Sequence, residues 1–142
     1  MTRADYRPAM SANILIVEDE IFVALEMQGI LEDRGYSVVG IAADIDGAME
    51  FADRDIDVAF VDLNLRDGLT GPQIGARLAN EHHASVLFVT ANPRLLGDGV
   101  AGTIGVLTKP TDEDGVIKAL EFGLARRRGE SVEPPNFVRC FG

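Results

Sequence analysis

Five short apolar runs rich in β-branched residues, Ile14–Glu18, Ser37–Ile41, Val58–Asp62, Val86–Thr90 and Ile104–Thr108, recur along this chain with helical patterns between them. Each run has the length of a buried strand and is too short for a helix. Strands that alternate with helices must lie parallel, because each helix carries the chain back to the starting edge. Right-handed crossovers then leave few ways to wind the sheet. The pattern predicts a doubly wound α/β fold, and 142 residues allow one such domain and no second.

The intervening segments carry helix signals. Val23, Met27, Ile30 and Leu31 form one stripe that ends at Gly35, a residue suited to the left-handed position after a helix. Asp44 is placed to cap a second helix through Ile45, Met49 and Ala52, and Thr70-Gly71-Pro72 opens a third through Ile74 and Leu78. The last helix is expected after Pro110, with Thr111 as N-cap, acids Asp112 to Asp114 in its first turn and Arg126 to Arg128 at its end. The fourth connection, Ala91 to Thr103, holds Pro93, Gly97, Gly99 and Gly102, so a short or mobile helix near Arg94–Leu96 is expected. Residues 1–12 read as a flexible leader. Residues 129–142, with Pro134-Pro135 and no periodicity, read as a C-terminal tail in which Cys140 is an unconstrained thiol.

Charge and composition exclude whole classes of function. A formal net charge of −10 opposes phosphate-neutralising contact with nucleic acid. No apolar run, Val86–Val89 included, approaches the roughly 20 residues of a membrane-spanning helix. The single cysteine rules out an intrachain disulfide and a cysteine-based zinc site, in keeping with a cytoplasmic home.

In parallel sheets the functional groups lie beyond the carboxyl ends of the strands. Here those ends carry Glu18-Asp19-Glu20, Asp62, Thr90 and Thr108-Lys109-Pro110. Converging carboxylates repel one another and favour a hard divalent cation such as Mg²⁺, with Glu18, Asp19 and Asp62 as the pocket. A carboxylate beside such a cation can attack a phosphoryl donor, while an ammonium and a hydroxyl neutralise charge on the phosphoryl oxygens. Asp62, Lys109 and Thr90 suit these roles. Any one of these residues could be a solvated loop acid or a cap; the ordered set is what points to chemistry.

At these residues the sequence resembles the receiver domains of two-component response regulators, over roughly Asn13 to Arg128. Ile14-Leu15-Ile16-Val17-Glu18-Asp19-Glu20 is similar to the family's opening strand and acidic pair, Val61-Asp62-Leu63-Asn64-Leu65 to its phosphoacceptor strand end, and Thr108-Lys109-Pro110 to its lysine-proline step. The resemblance implies a flavodoxin-like (βα)5 domain over 13–128 with a five-stranded parallel sheet in the order 2-1-3-4-5. It implies a phosphoryl group taken onto Asp62 from a histidine kinase, Mg²⁺ held by Glu18, Asp19, Asp62 and the Asn64 backbone carbonyl, and a cis Lys109–Pro110 bond. The stretches from Leu87 to Leu96 and from Asp62 to Gly68 resemble the atypical FAT GUY and general-stress receivers of alphaproteobacteria, which implies a kinase of the HWE/HisKA2 kind.

On this reading the chain is a stand-alone signalling domain and not an enzyme. It signals by protein contact or acts as a phosphate sink. The alternatives are a Mg²⁺-dependent phosphatase of haloacid dehalogenase type, which wants an acid where Asn64 stands, and a non-phosphorylated binding module. One departure from the family pattern is Val106, where receivers usually carry Tyr or Phe three residues before the lysine. Phosphorylation is then expected to act by reordering Ala91–Thr103.

Three further signals are set aside. Gly97 to Gly102 spells the dinucleotide fingerprint but leads into a strand. The Asp62 to Gln73 stretch fails as a calcium loop at Arg66, Gly68 and Gln73. His82 and His83 point about 100° apart on a helix and cannot easily share a ligand.

Overall fold

The structure, a computed structural model, describes residues 12–141. The expected leader therefore lies outside the described residues except for Ala12, which is buried. In chain order the elements are β1 (Asn13–Val17), α1 (Ile21–Asp33), β2 (Ser37–Ala42), α2 (Ile45–Phe51), β3 (Val58–Val61), α3 (Gly71–His82), β4 (Ser85–Thr90), a 3-10 turn (Pro93–Leu96), β5 (Gly105–Thr108), α4 (Glu113–Arg127) and β6 (Val138–Cys140). The five expected strands and four full helices form, and the fourth connection holds only the four-residue turn. Gly97, Gly99 and Gly102 follow that turn with φ of 52°, 116° and 86°, conformations that end a helix.

The sheet order is β2-β1-β3-β4-β5-β6. The first five strands are parallel in the expected order, and the sixth corrects the reading of residues 129–142 as a tail. β6 runs antiparallel to β5, with Gly105 opposite Cys140, Val106 opposite Arg139 and Leu107 opposite Val138. Cys140 is thus a half-buried strand residue and not a loose thiol. Three residues are too few to show a period-2 pattern, and what holds them is the unpaired edge of β5, which sequence does not display.

The helices are distributed on both faces. Ile14, Ile16, Phe60, Leu87, Val89 and Leu107 face α1 and α4, whereas Leu15, Val17, Val61, Val86, Phe88 and Val106 face α2 and α3. The alternation along each strand is the pleat itself, and burial on both faces explains the near-continuous apolar runs. Local capping follows the sequence with one correction. Asp44 accepts the Gly47 N–H at 2.8 Å as expected, but the cap of α4 is Asp112, accepting the Gly115 N–H at 2.7 Å, and not Thr111. Arg127 likewise does more than complement a dipole. It donates to the His83 carbonyl at 2.7 Å and lies 3.4 Å from Asp57, tying α4 to the start of β4.

α1 offers a clean test of backbone propensity. Gly29 is exposed on this helix, and a Cβ added there would have nothing within 4 Å. Gly29→Ala is expected to raise the unfolding free energy by about 0.5–1 kcal/mol, because glycine loses more backbone entropy in a helix. Urea unfolding with an unchanged slope would show it.

Candidate functional site

The strand ends are lashed together by main-chain bonds before any side chain acts. The Glu18 N–H donates to the Ala42 carbonyl at 2.8 Å, Asp62 N–H to Val17 at 2.9 Å and Lys109 N–H to Thr90 at 2.8 Å. Glu18, Asp62 and Lys109 each sit one step past a strand and Thr90 ends one, so the sheet still positions their backbones.

Lys109 Nζ donates to Glu18 Oε1 at 2.5 Å and to Asp62 Oδ2 at 2.7 Å. The other oxygen of each acid is also held: Asp62 Oδ1 accepts the Leu63 N–H at 2.7 Å, and Glu18 Oε2 accepts the Glu20 N–H at 3.2 Å. Burial lowers the Lys109 pKa, but bonds to Asp62 and Glu18 outweigh it and hold the ammonium above its usual range. Glu18 goes the other way for an ion-pair partner. Burial pushes its carboxyl up further than the Lys109 bond pulls it down.

Glu18, Asp62 and Lys109 are thus in contact, and the other expected residues are arranged around them. Thr90 is buried at the end of β4, its Oγ1 accepting the Asn92 N–H at 3.0 Å. Asp19 and Asn64 are exposed on the neighbouring loops. Among the described residues no three His, Cys, Asp or Glu side chains converge on one point. Yet the donor set suits a hard cation. Glu18, Asp19 and Asp62 carry three negative charges against the single ammonium of Lys109, and every side-chain donor is oxygen. The Lys109–Pro110 bond is cis.

Three features of the site were not foreseen from sequence. Gly71, at the start of α3, passes directly under the loop that follows β3: a Cβ there would stand 2.0 Å from the Asp62 carbonyl oxygen. The loop after Asp62 is braced against α2 by an Arg66–Asp44 ion pair and by Asp67, which accepts the Ile45 N–H at 3.0 Å and the Thr70 hydroxyl at 2.5 Å. Asp67-Gly68 is a turn dipeptide, but the Ile45 N–H that Asp67 accepts lies 22 residues away, beyond the reach of a local pattern. Finally, a cavity of about 390 Å³ runs inward from Glu18, Asp62 and Lys109 between α1 and α4, lined by Met27, Phe60 and Val116 among others.

Comparison with known proteins agrees with this geometry. The model of the response regulator receiver domain matches residues 14–121. The chain belongs to the response regulator receiver family. Among curated relatives, the transcriptional regulatory protein PdtaR of Mycobacterium tuberculosis is 29% identical over 130 residues, covering 87% of this chain and 62% of PdtaR. The phyllosphere-induced regulator PhyR of Methylorubrum extorquens is 30% identical over 129 residues, covering 86% of this chain and 48% of PhyR. The solution structure of the Erythrobacter litoralis PhyR receiver domain superposes with a TM-score of 0.71 at 26% identity, covering 90% of this chain and 98% of that one. This receiver thus spans about half to three-fifths of the curated relatives it matches. No helix among its described residues is long and apolar enough to cross a membrane.

Proposed function

We propose that this receiver takes a phosphoryl group from a histidine kinase onto Asp62 and passes the signal on by protein contact or acts as a phosphate sink. The observation that carries the reading is the shared ammonium. Lys109 is bound to Asp62 and Glu18 together, and so holds a positive charge beside the carboxylate that would attack. In the transfer an Asp62 oxygen forms a bond to phosphorus as the phosphorus–nitrogen bond of the donor phosphohistidine breaks, its electron pair leaving with the imidazole. Lys109 and the Thr90 hydroxyl neutralise the phosphoryl oxygens, and the Leu63 N–H keeps the carboxylate oriented. Asp19, Asp62 and the Asn64 carbonyl, with Glu18 alongside, would hold Mg²⁺, which supplies further neutralising charge. The resemblance of the Leu87–Leu96 and Asp62–Gly68 stretches to general-stress receivers extends the proposal to a donor kinase of the HWE/HisKA2 kind.

Incubation with Mg²⁺ and acetyl phosphate, followed by intact mass, tests the proposal. One added phosphoryl group is expected in the parent protein and none in Asp62→Ala. An adduct that persists in Asp62→Ala overturns the assignment, and so does its absence from the parent, which would favour the non-phosphorylated binding module. Steady turnover of varied phosphate esters would instead point to a hydrolase, against which Asn64 stands two residues after the nucleophile.

A further inference from the structure

The C-terminal strand grips the segment that leaves Thr90. Arg139 donates from Nη1 to the Gly97 carbonyl at 3.0 Å and from Nη2 to the Pro93 carbonyl at 3.2 Å, holding both ends of the turn after β4. The same guanidinium lies 5.3 Å from the centre of the Phe141 ring. Phe141 packs obliquely against Phe88 of β4, with centroids 6.4 Å apart, and its N–H donates to the Ile104 carbonyl at 2.9 Å.

The seat beneath this strand is shaped for it. A Cβ at Gly105 would stand 2.4 Å from the Arg139 carbonyl oxygen, and one at Gly99 would stand 2.4 Å from the Phe141 ring. Two glycines, one in β5 and one in the loop, thus allow residues 139–141 to lie in direct contact. Val106 adds to this. It is small and buried, it pairs with Phe88 on one side and Arg139 on the other, and the aromatic ring beside Phe88 at this corner of the sheet comes from Phe141.

We propose that residues 138–141 are a latch that reports the state of Asp62, shut in the form described here and released when Asp62 carries a phosphoryl group. The inference rests on Asp62 as the phosphoacceptor. The coupling is mechanical. To follow phosphoryl oxygens on Asp62 the Thr90 side chain would have to shift, and the Asn92 N–H bonded to its hydroxyl oxygen would be carried with it; Asn92 leads directly into the turn that Arg139 holds. Two hydrogen bonds aimed at carbonyls four residues apart tolerate little displacement, and β6 pairs with β5 over only three residues. Small displacements of such a packed element break it loose instead of bending it. Release would bare the edge of β5 and the pocket that Phe141 fills.

Cys140 is the sole cysteine and lies inside the latch, so it reports opening without an introduced thiol. The full chain is treated with Mg²⁺ and beryllofluoride, adduct formation is followed by fluorine NMR, and the rate of maleimide labelling at Cys140 is measured in parallel. Labelling is expected to quicken by about tenfold with the adduct, and to be quick without it in Arg139→Ala and Phe141→Ala, since either removes a local tie. An adduct that leaves the rate unchanged overturns the latch and spares the phosphoacceptor reading. No adduct overturns that reading and the coupling with it. Parent-like labelling in both variants overturns the role of Arg139 and Phe141 as ties.

Discussion

Lys109→Met is expected to slow phosphoryl transfer to Asp62 by about two to three orders of magnitude, the cost of losing one preorganised charge aimed at the transferring group. The substitution keeps the length and apolar stem of the side chain and removes only the ammonium, so the cavity lining is largely conserved. Its second effect is on stability. Without Lys109, the Glu18 and Asp62 carboxylates lose the donor they share, and a partly buried acceptor left unmatched costs about 1–3 kcal/mol. That loss should depend on pH in a particular direction. Burial already raises the Glu18 pKa, and the variant removes the bond that opposes the rise. A carboxyl with a raised folded-state pKa binds its proton more readily when folded. Its cost is therefore full above that raised value and vanishes as pH falls below the ordinary carboxylate range. Urea titrations should show the largest deficit near neutral pH and a shrinking one on acidification, while single-turnover kinetics with acetyl phosphate report the chemical effect. Parent-like transfer rates would remove Lys109 from the mechanism.

Gly71→Ala is expected to cost about 3 kcal/mol or more, at the upper end of what overpacking inflicts. An added methyl would stand 2.0 Å from the Asp62 carbonyl oxygen, 2.5 Å from the Leu63 Cα and 2.8 Å from the Asp62 carbonyl carbon. These are backbone atoms with no rotamer through which to yield. They are also anchored, since the Gly71 N–H donates to the Leu63 carbonyl at 3.0 Å and Asp62 N–H to Val17. Relief must come from moving α3 or the loop after Asp62. The variant should therefore lose stability in urea and lose phosphorylation together. Gly29→Ala, the same change in open space, should gain a little. Opposite signs at two glycines in one protein separate close approach from propensity, and equal effects would refute the steric account.

The chain's own pattern carried most of the framework. Length, β-branched content and spacing located five strands to within about a residue at either end, with three helices between them and a fourth after the last, because a strand buried on both faces must be apolar throughout. The site was legible for the same reason. In a parallel sheet the residues that end or follow a strand are delivered to one rim, so Glu18, Asp62, Thr90 and Lys109 could be placed there from position alone. The missing aromatic at Val106 and the glycine-thinned fourth connection were also visible as departures.

What local patterning could not hold was any relation between distant segments. The sixth strand has three residues and no readable period; it forms because β5 would otherwise present an unpaired edge. Gly71 carries no mark in sequence of the carbonyl that passes 2.0 Å from where its Cβ would be. The bracing of Asp44 by Arg66, and the hold of Arg139 on Pro93 and Gly97, join residues 22 to 46 positions apart. The sequence by itself determined five alternating strands with their helices and which side chains reach the carboxyl rim, since hydrophobic period and chain direction are local properties, while the strand order came from the resemblance to receivers. Only the tertiary structure decided that one ammonium bridges Glu18 and Asp62, and that the chain's end returns to hold the loop beyond Thr90. Those depend on distances set after the sheet has closed around its core.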